Sequence, residues 1–261
     1  MPLRVFTYVM LTLLVLPMAA IIGTSFTESA YVAFPPRGFT FKWYGVALQK
    51  TPFLNSFYLS LWVGAVTAAI ATLFGTIVAL AIARHRFVGR EAFNAFFMSP
   101  LIIPAIVLGI ALLQFYNRIG LGSTPLGLIF GHAIITTPYV IRLVTASLTG
   151  LDPNIERAAR SLGAPPAIAF LRATVPIIGP GIAAGAIFAF IMSFENVTIS
   201  VFLATPRMVT LPVRIFNEWD KVIEPWLVAV NALVILWTFA VIAIADRIVS
   251  IRGLYGADER T

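Results

Sequence analysis

The sequence predicts an all-α integral membrane protein: six transmembrane helices in one bundle, with a short cytoplasmic helix between spans four and five. Three observations lead there. The 261 residues are 59% hydrophobic and 11% charged, whereas a soluble domain carries about 25% charged residues to dress its surface. Mean hydropathy is +0.94, so lipid must serve as solvent. Six apolar stretches, nearly free of charge, are long enough to cross the hydrocarbon as helices, which takes about 20 residues each.

The stretches fall near 5–25, 57–83, 93–116, 121–146, 177–203 and 226–245. In the first, Arg4 precedes an uncharged run from Val5 to Thr27. That run is longer than the apolar core of a signal peptide, so it reads as a span. The second ends at Arg84, Arg86, Arg90 and Glu91, and the sixth at Asp246 and Arg247. Pro100 and Pro104 lie in the third, Pro138 in the fourth, and Gly179, Pro180, Gly181 and Gly185 in the fifth. Soluble helices break at such residues. Membrane helices keep them where neighbours satisfy the freed backbone groups. The Gly181–Gly185 spacing permits close helix approach, either within the bundle or at a dimer seam.

Net charge is +7, from 18 basic and 11 acidic residues. An even number of spans puts both termini on one side. With the N-terminus inside, Arg4, Arg84, Arg86, Arg90, Arg142, Arg157, Arg160, Arg172, Arg247, Arg252 and Arg260 are cytoplasmic. The others, all three lysines included, lie outside, mostly in the longer loops 26–56 and 204–225, where charge sets orientation less strongly. Both termini are therefore expected in the cytoplasm. There are no cysteines, which excludes disulfides, zinc–thiolate sites and a thiol nucleophile.

The connection between spans four and five, Leu151 to Pro176, is the most ordered of the loops. Asp152 can cap a helix that begins at Pro153, with Glu156 adding negative charge to the first turn. Ile155, Ala158, Ala159 and Leu162 recur at i, i+3, i+4 and i+7 and form one apolar face. Asn154, Glu156, Arg157, Arg160 and Ser161 occupy the rest. Gly163 suits the position just past the helix, and Pro165 and Pro166 forbid continuation. A helix of about ten residues is too short to span. It lies on the cytoplasmic face, either against another protein or on lipid head groups.

The run Glu156-Arg-Ala-Ala-Arg-Ser-Leu-Gly163-Ala, followed by Phe170, Arg172, Thr174 and Pro176, resembles the EAA signature of binding-protein-dependent ABC importer permeases. Two positions depart from it: Arg157 stands where the family usually has the Glu of EAA, and Ser161 where Asp is common. The resemblance implies that this is the coupling helix, which seats in a groove of a cytoplasmic ATPase. It assigns ATPase coupling to Glu156, Arg157, Ala158, Ala159 and Gly163. The stretches Ser193–Leu203 and Thr210–Phe216 are similar to spermidine/putrescine-type permeases, in particular the C-type of their two membrane subunits. The implied protein is an inner-membrane permease for a polyamine or related amine or amino-acid-like solute. Its implied partners are two ATP-binding subunits, a second and related permease chain, and a periplasmic solute-binding protein. ATP and magnesium belong to the ATPase; this chain is no enzyme and binds no cofactor or metal. The corresponding organisation is a first helix and periplasmic loop (1–56), a permease core (57–250, coupling segment 151–176) and a cytoplasmic tail (251–261).

Glu195 is the acid placed well inside an apolar run, with Asn196 beside it. An intramembrane charge is costly, by about 2.5–3.5 kcal/mol on insertion scales. The pair is therefore expected to line the substrate path and meet a cationic amine, or else to be paired or hydrated structurally. His132 reads as a hydrogen-bonded packing residue and Arg142 as an interfacial one. In the loop 204–225, Leu211, Ile215 and Trp219 are spaced as one face of an amphipathic helix, among Arg207, Arg214, Glu218, Asp220, Lys221 and Glu224. No phosphate-binding loop and no hydrolase motif is present, which excludes the ATPase itself. The alternative to the importer is an ion-coupled secondary transporter. Such a protein needs a relay of intramembrane ionisable groups that a single buried Glu does not supply.

Overall fold

The computed structural model describes residues 2–32, 34–219 and 224–257. Its helices are α1 (Pro2–Thr24), α2 (Lys42–Gln49), α3 (Thr51–Arg84), α4 (Arg90–Met98), α5 (Ala105–Arg118) and α6 (Pro125–Thr149). They continue with α7 (Pro153–Ser161), α8 (Pro166–Ala169), α9 (Val175–Phe194), α10 (Thr198–Leu203), α11 (Leu211–Trp219) and α12 (Pro225–Ala257). Five helical runs are long and apolar enough to cross a bilayer: Leu3–Thr24, Thr51–Arg84, Pro125–Thr149, Pro166–Phe194 and Pro225–Arg247. The sixth membrane element is broken.

That break divides the third span expected over 93–116. The chain runs from α4 through a 3₁₀ turn (Ser99–Leu101), and α5 then departs at 100°. Pro104 is the cause. It has no N–H to donate and pushes the residue before it out of the helical region, so the chain stops and restarts at α5. The fifth span is also displaced from 177–203. Its helical run starts at Pro166 and ends at Phe194, and α10 is a separate short helix.

The chain forms two compact units. Residues 59–209 and 243–261 make one, residues 1–58 and 210–242 the other. In the first, α6 is the central helix and packs chiefly on α9. Val140, Ile141, Val144 and Leu148 of α6 meet Ala71, Val78, Ala79 and Ile82 of α3 and Ile178 and Ala189 of α9. A second cluster joins Val63, Leu112, Tyr116, Leu128, Ile129, Ile199 and Leu203. The α6 start is fixed by Thr124, whose hydroxyl accepts from the Gly127 N–H at 3.1 Å, with Pro125 as the first helical residue.

The α6–α9 seam depends on missing side chains. A Cβ added at Gly181 would lie 2.1 Å from Ser147 Oγ and 2.9 Å from the Leu143 carbonyl oxygen; one at Gly185 would lie 3.2 Å from Val140. The small-residue spacing is therefore used inside this chain, for bundle packing.

In the other unit, Phe26, Phe39, Phe41 and Tyr44 form an aromatic cluster, and Trp43 donates to the Thr27 carbonyl at 2.8 Å. The first span is exposed from Leu3 to Ala19, as a helix solvated by lipid can be. The amphipathic helix expected in the loop 204–225 is α11. Leu211 and Val213 are its buried residues, whereas Trp219 is exposed. Asp220 and Lys221 lie outside the described residues, as does Arg260, and nothing of the Arg252 side chain is described.

Gly181→Leu should destabilise the protein by about 1–3 kcal/mol, because backbone cannot yield as a side chain can. Gly179→Ala, which meets nothing within 4 Å, should stay within about 0.5 kcal/mol of the native protein. Thermal unfolding in detergent, followed by tryptophan fluorescence, compares the two.

Candidate functional site

Helix α7 is delimited by its own sequence. The Asp152 carboxylate accepts from the Asn154 N–H at 2.9 Å and caps the start. At the other end the Gly163 N–H reaches the Arg160 carbonyl at 3.0 Å, and the Ala164 N–H reaches that of Ala159 at 3.1 Å. This paired closure requires a left-handed residue, and Gly163 has φ +92°. No described side chain of α7 is buried. Ile155 and Ala158 are exposed, and Leu162 is 90% exposed. The apolar face expected from spacing thus points away from the chain's own core, with Arg157 and Arg160 exposed beside it.

Glu156 turns the other way. Its carboxylate accepts from Arg84 Nη1 at 2.8 Å and from the Thr174 hydroxyl at 2.9 Å, while Arg84 Nη2 donates to that hydroxyl at 2.8 Å. The guanidinium also stands 5.5 Å from the centre of the Phe170 ring. Arg84 is the last residue of α3, where its charge also suits the negative end of the helix dipole. Phe170 and Thr174 bound a π-helical turn (Phe170–Thr174) that leads into α9. Burial raises the Glu156 carboxyl. The hydrogen bonds from Thr174 and Arg84, with the charges of Arg84 and Arg160, outweigh that and hold it below the usual glutamate value. A cavity of about 360 Å³ adjoins this group, lined by Arg84, Leu148, Leu151, Glu156, Arg157 and Arg160.

The second candidate group lies at the far end of α9. Glu195 is not inside a helix. It follows the last residue of α9 and is exposed, at the start of the break before α10. Asn196 caps α10, its side-chain oxygen accepting from the N–H groups of Ile199 at 2.8 Å and Ser200 at 3.4 Å. His132 is wholly buried and joins both sides of the break: Nδ1 pairs with Ser193 Oγ at 2.7 Å and Nε2 with Ser200 Oγ at 2.9 Å. It is a packing residue. The 20 residues of α9 separate the two groups by about 30 Å, the thickness of the hydrocarbon.

The pairing of Arg84 and Thr174 with Glu156 escapes a reading of the sequence, although both residues are visible in it. Arg84 lies 72 positions from Glu156 and 90 from Thr174, and Thr174 lies 18 from Glu156. The available signal is only a charge at the end of a span.

Comparison with known proteins agrees with this geometry. The family model described as binding-protein-dependent transport system inner membrane component matches residues 71–252. The spermidine/putrescine transport system permease protein PotC of Escherichia coli (strain K12) is 29% identical over 239 residues, covering 91% of this chain and 89% of that protein. The putrescine transport system permease protein PotI of the same strain is 31% identical over 231 residues, covering 86% and 82%. In structure, the chain aligns with a bacterial ABC transporter involved in the import of the acidic polysaccharide alginate, at TM-score 0.76 and 17% identity, over 94% of each chain.

Because the Glu156 carboxyl is lowered in the folded protein, its pairing stabilises fully above the ordinary glutamate pKa of about 4.3 and is lost as pH falls through the lowered value. The stability difference between the native protein and Glu156→Gln should be about 1 kcal/mol. It should hold steady from about pH 7 to about pH 5 and shrink below that. Unfolding measured across pH gives the curve.

Proposed function

This chain belongs to the family of binding-protein-dependent transport system inner membrane components and is a permease subunit of an ABC importer; on that premise we propose that its cargo is a polyamine or a related small amine or amino-acid-like solute. The observation that carries the cargo reading is the similarity, over about nine-tenths of the chain, to a permease of spermidine and putrescine transport. An exposed carboxylate at the α9–α10 break agrees with it. Glu195 and Asn196 line the path, Glu195 meeting the ammonium group of the solute and Asn196 holding the turn that presents it.

The core that forms this path is residues 57–250, with 151–176 as the coupling segment. Helix α7 is the coupling helix. Its outward apolar residues, Ile155, Ala158 and Leu162, seat in a groove of a cytoplasmic ATP-binding subunit. The small side chains of Ala158 and Ala159 let that surface come close, and Arg157 and Arg160 flank it. Gly163 holds the helix end in the left-handed turn that docking needs. Two such ATPases, a second and related permease chain and a periplasmic solute-binding protein complete the transporter; ATP and magnesium act in the ATPases. The arginine distribution supports cytoplasmic termini. That orientation puts α7 on the cytoplasmic side and Glu195, at the other end of α9, toward the periplasm. ATP binding draws the coupling helices together and opens the cavity outward, and hydrolysis resets it.

Gly163→Val should lose the copurifying ATPase, since a left-handed backbone costs a β-branched residue at least about 1–2 kcal/mol. Gly163→Asn should retain it. Equal copurification with both variants would remove α7 from the docking role. For the path, Glu195→Gln should raise KM for cationic amines about tenfold, the worth of one hydrogen bond to a charged group. Uptake at native KM would mean that Glu195 does not touch the solute.

A further inference from the structure

We propose that Arg84 is the positioning residue that makes the coupling helix move with the membrane spans, through a latch of Arg84, Glu156, Thr174 and Phe170. The proposal rests on reading α7 as the ATPase-docking helix, and it adds the means by which a displacement of α7 reaches α3 and α9.

Beyond the latch, helix α7 touches chiefly the π-helical turn and α8, which follow it in the chain. None of its described side chains is buried, and the chain on either side passes through Gly150 and Gly163. A cavity separates part of it from the ends of α3 and α6. A push on a helix that rests only on the segment following it would be absorbed in that segment and would not reach α3. Side-chain ties must carry it.

The ties present form a closed ring. Arg84 donates one N–H to the Glu156 carboxylate and another to the Thr174 hydroxyl, and the Thr174 hydroxyl donates to the same carboxylate oxygen. Every donor in the ring meets an acceptor, and the three bonds reinforce one another. Each member stands on a different element: Arg84 ends α3, Glu156 lies in the first turn of α7, and Thr174 precedes α9. The Phe170 ring beside the guanidinium limits its freedom further. Phe170 and Thr174 belong to the one π-helical turn among the described residues. Such turns are rare and concentrate at functional positions, where a helix must yield or reorient. The turn gives α9 a place to flex while the ring keeps its first residues with α7.

A plain structural ion pair at a half-exposed site would contribute about 1 kcal/mol or less and would not affect energy coupling. The experiment separates the two roles. The complete transporter (this chain, its ATPase, the partner permease and the solute-binding protein) is reconstituted in liposomes, and solute imported per ATP hydrolysed is measured. With Arg84→Gln the ATPase should copurify at native stoichiometry, while import per ATP falls about fivefold or more, the lower bound of a typical coupling free energy. Thr174→Val, which opens the ring but keeps the ion pair, should give a smaller fall. The charge exchange Arg84→Glu with Glu156→Arg should recover about half of the loss or more, which a nonspecific defect would not do.

Native import per ATP in Arg84→Gln overturns the latch. So does a charge exchange that folds but couples no better than Arg84→Gln. Should Arg84→Gln fail to insert, Thr174→Val and the charge exchange decide the matter alone. Loss of the ATPase from Arg84→Gln but not from the native protein would make the ring part of the docking surface and also overturn the latch. Failure of the native protein to retain an ATPase would instead refute the coupling-helix reading beneath it.

Discussion

Each peptide group left without a partner in hydrocarbon costs several kcal/mol, and this constraint governs where the chain can be irregular. Within the long spans the backbone stays helical, even at Pro138, where the neighbouring Thr136 and Thr137 hydroxyls bond back to the carbonyls of His132 and Ala133. Where α9 stops, side chains take over freed groups. Asn196 caps α10, and the buried imidazole of His132 spans the break from Ser193 to Ser200. The break can therefore carry an exposed carboxylate at Glu195 without leaving its backbone unsatisfied.

The second determinant is the α6–α9 seam. Gly181 and Gly185 bring the two backbones close enough that an added carbon would collide at the first and crowd Val140 at the second. A seam this tight moves as one body, because packed interiors transmit displacement and do not absorb it. Helix α9 then has a defined end at each face of the membrane. One end holds Thr174 and the tie to α7, the other Glu195. A single rigid helix thus links the segment assigned to energy input with the residue assigned to the solute, across about 30 Å. A transporter involved in alginate import shares this fold at 17% identity. A fold alone does not choose a cargo; the side chains placed on it do.

Much of the fold is legible in the sequence because the signals are local. Long uncharged runs mark the spans. Asp152, Pro153, Gly163 and the proline pair bound α7 to within a residue or two, since capping and left-handed turns involve neighbours only a few positions apart. The third and fifth spans are less well read. Hydropathy continues unbroken through Pro104 and Glu195, while the backbone stops at both. A hydropathy pattern records what lipid tolerates, not where hydrogen bonding restarts.

The sequence by itself determines an all-helical membrane protein, the order of its spans and the exposed helix between the fourth and fifth. These follow from apolar run length, charge placement and short-range capping. Only the tertiary structure decides the 100° turn after Leu101, the clasp of His132 across the α9–α10 break and the ring that joins Arg84, Glu156 and Thr174. The physical reason is distance along the chain. The direction a polar side chain takes depends on which partner folding brings within 3 Å; His132 and Arg84 find theirs 61 to 90 positions away.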